Sequence, residues 1–139
     1  YGNIEGPMNP LSHYLELGVS FIASHYSSKP RDLASLFEQA MEHKGFAIVH
    51  VMSPCTTYND TFDFLKGNKK LGIAPAVYKV PEDHDPTDKR AAEEMARAPG
   101  VPLGVIYKEE RPTLEDLQNE LRKKARSRTA AEMVDTYTL

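Results

Sequence analysis

Apolar and polar positions in the first 52 residues follow an order that predicts helix, strand, helix and strand. Asn9 followed by Pro10 predicts a helix start, because Asn caps well and Pro fits the first helical position. Gly18 is expected to end that helix. The segment Val19–Ala23 is rich in β-branched and aromatic residues and therefore predicts a strand.

A clearer helical pattern follows, over about residues 29–44. Ser27 or Ser28 can cap it, and Gly45 can end it. Its apolar residues fall on one stripe: Leu33, Leu36, Phe37, Ala40 and Met41. The nearly continuous apolar run Phe46–Met52 comes next, which predicts a strand buried on both faces, as in a parallel sheet. The two strands are thus predicted to be parallel, with the helix as a right-handed crossover.

Shorter elements are predicted beyond residue 52. We expect a helix over 61–66, strands over 76–80 and 103–107, a helix from Asp85 to about Arg97, and a helix from Thr113 to Arg122. The last two each begin with a capping residue and a carboxylate three positions later. The final helix has a narrow apolar stripe of Leu114, Leu117 and Leu121. The alternation of helices and strands predicts an α/β protein.

Composition narrows the functional classes. The chain has 139 residues, 17 Lys and Arg against 20 Asp and Glu, and one cysteine. The slight acidic excess disfavours a dedicated nucleic-acid binder, and one cysteine cannot form an internal disulfide. Without an export signal we expect a cytoplasmic protein. The chain opens with Tyr1 rather than Met, so we interpret it as a fragment of a longer chain.

Positive charge gathers in one place, at the end of the last predicted helix. The cluster comprises Arg122, Lys123, Lys124, Arg126 and Arg128. We interpret it as a solvated helix end favoured by the helix dipole, with a nucleic-acid patch as the alternative.

Cys55 stands out because of its position. It follows the carboxyl end of a predicted parallel strand, where open α/β sheets bind ligands. A small buried hydrophobe is the alternative, since free cysteine is among the most buried residue types. A nucleophilic cysteine needs a cationic or histidine neighbour, which the sequence does not place. A cluster or zinc site needs further thiolates, which this chain lacks.

Two other groups could carry chemistry. His50 lies on a predicted buried strand, where a satisfied or half-exposed core histidine is favoured over a catalytic one. The stretch Glu82–Asp85 holds three carboxylates and an imidazole and could form a hard-cation site. A solvated loop leading into a helix cap is favoured, because the EF-hand spacing is missing.

Five segments, taken in order, resemble the C-terminal half of the β subunit of 2-oxoacid:ferredoxin oxidoreductases (the pyruvate and 2-oxoglutarate enzymes). They are Tyr1–Pro10 (YGNIEGPMNP), Ser53–Cys55 (SPC), Asp83–Asp88 (DHDPTD), Pro102–Tyr107 (PLGVIY) and Arg111–Thr113 (RPT). The resemblance extends through about Glu120.

The resemblance implies a fold and an activity. Residues 1–55 would be the end of a doubly wound, mainly parallel domain that binds thiamine diphosphate and Mg²⁺, and 56–139 an α/β C-terminal extension. The complete enzyme would oxidatively decarboxylate a 2-oxoacid with coenzyme A and pass electrons through a 4Fe–4S cluster to ferredoxin. Its partners would include an α subunit.

The resemblance also implies a role for Cys55, as the fourth ligand of the cluster near the thiamine. The family's Gly-Asp-Gly segment, its downstream Asn and its Cys-x-x-Cys pair are not in this sequence, so we expect the chain alone to hold neither cofactor. Two alternatives stay open. One is a non-catalytic α/β subunit-interaction module with a structural cysteine, and the other is a thiamine-dependent decarboxylase without iron.

Overall fold

The computed structural model describes residues 4–125 and 127–137, and it confirms the α/β class. The elements in chain order are α1 Pro10–Glu16, β1 Phe21–Tyr26, α2 Pro30–Glu42, β2 Ala47–Met52, α3 Phe62–Lys66, β3 Val77–Lys79, α4 Lys89–Arg97, β4 Val101–Lys108, α5 Leu114–Lys124 and α6 Ala130–Asp135. Tyr1, Gly2 and Asn3 of the first family-like segment, Arg126 of the basic cluster, and residues 138–139 lie outside the described residues.

One mixed sheet organises these elements, in the order β2-β1-β4-β3. Strands β1 and β2 are parallel, with Phe21 opposite Ala47 and Tyr26 opposite Met52, which confirms the predicted pairing. Strands β3 and β4 are also parallel. Strand β4 runs antiparallel to β1. Because α2 joins β1 to β2, it is the predicted crossover; its right-handed sense stays a prediction.

Helices cover both faces of β1, whose six residues are all buried. On one face Ile22 packs with Ile106 of β4 in a cluster that α1 and α4 complete; these helices supply Leu11, Leu15, Ala92 and Ala96. On the other face Phe21 and Ala23 pack with Leu36 of α2. Successive strand side chains point to opposite faces, so β1 contributes side chains to two hydrophobic cores, one on each face of the sheet.

Two strand predictions needed correction. Strand β1 begins at Phe21 rather than Val19, because the Val19 backbone N–H donates to the Tyr14 carbonyl at 3.1 Å, in the turn that follows α1. The strand then extends to Tyr26 through polar residues that the apolar pattern did not include. Strand β2 is half-buried along its length, not buried on both faces, because it lies at an edge of the sheet.

Helix ends were predicted with mixed success. Asn9 caps α1 by accepting from the Ser12 N–H, and Thr113 begins α5 in a capping box with Asp116, both as predicted. Helix α2 instead starts after Lys29 without a side-chain cap. Helix α4 is capped by Asp88, while Asp85 three residues earlier accepts from Thr87 in the preceding turn.

Strands from both sides of residue 55 share the sheet, since β1 and β2 precede it and β3 and β4 follow it. The boundary between 1–55 and 56–139 is therefore not a break between two hydrophobic cores. The division into these two parts stays a prediction. Every residue of α5 is exposed, so its predicted leucine stripe covers no core. No helix within the described ranges is long and apolar enough to cross a bilayer.

Candidate functional site

The carboxyl ends of β1 and β2 meet at one edge of the sheet, because Tyr26 lies opposite Met52 in the parallel register. Ligands of open α/β sheets bind at such an edge. Cys55 follows three residues after Met52, on a proline-containing loop. The structure thus places Cys55 beyond this edge, as the sequence predicted.

A small hairpin holds Cys55 in place. Its backbone N–H donates to the Asn59 carbonyl at 3.2 Å, and the Asn59 N–H donates to the Cys55 carbonyl at 2.9 Å. Hydrogen bonds from the backbone N–H groups of Tyr58 and Thr57 lower the pKa of the Cys55 thiol, while desolvation and the charge of Asp60 oppose this shift. The loop therefore stabilises a thiolate with backbone dipoles instead of a cationic side chain.

The thiol of Cys55 is exposed, so the alternative of a buried structural cysteine does not describe this chain. A stabilised, exposed thiolate is the form that binds metals or acts as a nucleophile. Among residues 4–125 and 127–137 no three His, Cys, Asp or Glu side chains gather into a metal site.

His25 is a residue of this edge that the sequence reasoning missed. It is the second-last residue of β1 and is only 5% exposed. Its Nδ1 donates to the Tyr26 carbonyl at 3.0 Å, and its Nε2 lies 3.7 Å from the Asp32 carboxylate on α2. The prediction ended this strand at Ala23, two residues before His25, and so did not assign His25 to the sheet. A predicted strand two residues longer would have included it.

His50 is half-buried on β2, in agreement with the favoured interpretation as a core histidine. Its Nδ1 lies 3.4 Å from the Tyr14 hydroxyl and its Nε2 3.2 Å from the Met52 sulfur. Desolvation lowers the pKa of His50, which keeps the ring neutral near pH 7. Both ring nitrogens are thus engaged within the core.

The acidic stretch 82–85 forms a turn, as the favoured interpretation predicted. The ring of His84 donates from Nε2 to the Ile106 carbonyl at 2.8 Å and ties the loop to β4. Asp85 accepts from the hydroxyl and the backbone N–H of Thr87, and these two bonds lower the pKa of its carboxyl group. The side chains of His84 and Asp85 therefore both stabilise the turn.

A cavity of about 680 Å³ lies at the opposite edge, beside the start of β1. Its lining includes Phe21, His43 and Lys108, together with Asp116 in the first turn of α5. The Nε2 atom of His43 lies 2.9 Å from Ser20 Oγ. Desolvation lowers the pKa of His43, and the positive charge of Lys108 adds to this effect. The cavity carries both signs of charge, since Glu42 and Glu110 also line it.

Comparison with known proteins shows which sequences this chain is similar to. Residues 55–123 match the family model for the C-terminal part of the pyruvate ferredoxin oxidoreductase β subunit. The β subunit of a 2-oxoacid:ferredoxin oxidoreductase from Sulfolobus is 32% identical over 115 residues, or 78% of this chain and 38% of the relative. A β subunit from Aeropyrum pernix is 34% identical over 112 residues, or 76% of this chain and 35% of the relative.

A solved structure matches the whole chain. The 2-oxoglutarate:ferredoxin oxidoreductase from Magnetococcus marinus, determined with 2-oxoglutarate, coenzyme A and succinyl-CoA bound, superposes with a TM-score of 0.82 at 35% identity. The match covers 100% of this chain and 47% of that chain. This chain therefore spans less than half the length of the relatives it matches. It belongs to the family of 2-oxoacid:ferredoxin oxidoreductase β subunits, of which it represents the C-terminal region.

Proposed function

We propose that this chain acts as the C-terminal part of the β subunit of a 2-oxoacid:ferredoxin oxidoreductase. The complete enzyme oxidatively decarboxylates a 2-oxoacid in the presence of coenzyme A and reduces ferredoxin. The observation that carries the proposal is the match to the Magnetococcus marinus enzyme along the entire chain. Its partners are the α subunit and ferredoxin, its substrates are a small 2-oxoacid and coenzyme A, and it works in the cytoplasm.

The proposed cofactors are thiamine diphosphate, Mg²⁺ and a 4Fe–4S cluster, held by the complete subunit. A cluster transfers single electrons when bound, and cysteine thiolates are its usual ligands. Cys55 fits such a ligand because its thiol is exposed and its thiolate is stabilised by the amides of Tyr58 and Thr57. Hydrogen bonds to ligand sulfur are also one of the determinants of a cluster's reduction potential.

Strands β1 and β2 determine where Cys55 lies. Strands β1 and β2 end together, and Pro54 restricts the backbone just before Cys55. This arrangement holds a thiolate at the edge where a cofactor of a doubly wound domain binds. The chain provides one cluster ligand in this proposal and no ligand of thiamine diphosphate, whose Gly-Asp-Gly segment is absent from the sequence.

The test is the Cys55→Ser substitution in the complete β subunit, purified with its partner. Serine oxygen is a harder and less easily deprotonated ligand, so we expect iron per subunit to fall and ferredoxin reduction to be lost. Thiamine diphosphate binding, measured by calorimetry, should stay near wild type. Thr56→Ala is the matched control, because it alters the neighbouring side chain and keeps the thiolate.

An unchanged iron content in Cys55→Ser, with Thr56→Ala also normal, would remove the proposed role of Cys55. Loss of thiamine binding and of iron together would indicate misfolding rather than loss of one ligand. Absence of any 2-oxoacid-dependent ferredoxin reduction by the wild-type complex would contradict the proposed activity itself.

A further inference from the structure

We draw no further inference here: the strongest candidate, the outer edge of strand β2 next to the Cys55 loop, carries no proposal because nothing in the structure shows what pairs with it.

Discussion

Asn9 and Ala96, 87 positions apart, are joined by a hydrogen bond from Asn9 Nδ2 to the Ala96 carbonyl at 2.6 Å. The same Asn9 side chain accepts from the Ser12 N–H and so caps α1. One amide therefore starts α1 and fastens it to the end of α4. These are the two helices that cover one face of the sheet.

We expect Asn9→Ala to lower the free energy of unfolding by about 1–2 kcal/mol, since it removes a helix cap and a tertiary hydrogen bond together. Urea unfolding followed by circular dichroism measures the change. Asn119→Ala on exposed α5 is the control and should change stability by less than about 0.5 kcal/mol. Equal effects of the two substitutions would show that the bond between α1 and α4 contributes nothing.

Gly100 offers a second test, of crowding at a left-handed position. Its φ is +99°, and an added Cβ would lie 2.6 Å from the Ala76 carbonyl oxygen. Gly100→Ala should therefore destabilise the chain by about 2 kcal/mol or more. Gly72→Ala is the control, because its φ is +69° and its Cβ would meet nothing within 4 Å. It should cost only the backbone strain, about 1 kcal/mol; a larger loss for Gly72→Ala would contradict this account.

The pH dependence of stability tests His50, whose pKa is lowered in the folded state by desolvation. The unfolded chain then binds the proton more readily, so stability falls as pH decreases through about 6.5, the ordinary histidine value. We expect His50→Gln to reduce this loss between roughly pH 7.5 and 5.5. The control is His13→Gln at an exposed position of α1. An unaltered slope in His50→Gln would mean that the half-buried ring does not titrate as described.

The thiol of Cys55 can be titrated directly in the metal-free chain. The N–H groups of Tyr58 and Thr57 lower its pKa, so alkylation by iodoacetamide should reach half its maximal rate at a lower pH than in the same chain unfolded in urea. Tyr58→Pro, which removes one donor, should raise that midpoint, whereas Tyr58→Phe should not. Identical midpoints in the folded and unfolded chain would show that the hairpin does not stabilise the thiolate.

Local signals made some parts of this fold predictable. Asn9 with Pro10, and Thr113 with Asp116, were recognised because each cap depends on residues close in sequence. The parallel pairing of β1 and β2 followed from the crossover helix between them. The antiparallel pairing of β4 with β1 was not predicted, since no pattern within either strand specifies a partner so far along the chain.

The candidate site was likewise predictable only where its features depend on residues close in sequence. Its location followed from the position of Cys55 after a strand, which is a local feature. The amides that face the sulfur depend on closure of the hairpin between Cys55 and Asn59, and its polar sequence indicated only a loop. His25 was missed because buried polar residues extend β1 beyond the apolar run. The leucine stripe of α5 was predicted, but a stripe alone does not say whether its partner lies in the same chain.

The central position of β1 has a consequence for synthesis on the ribosome. Its neighbour β4 begins about 75 residues after β1 ends. At about 5–20 residues per second, roughly 4–15 s pass before the ribosome reaches β4. Throughout that interval the nascent chain presents an unpaired edge on the strand that is most buried in the final fold, which is the kind of segment that aggregates or recruits chaperones.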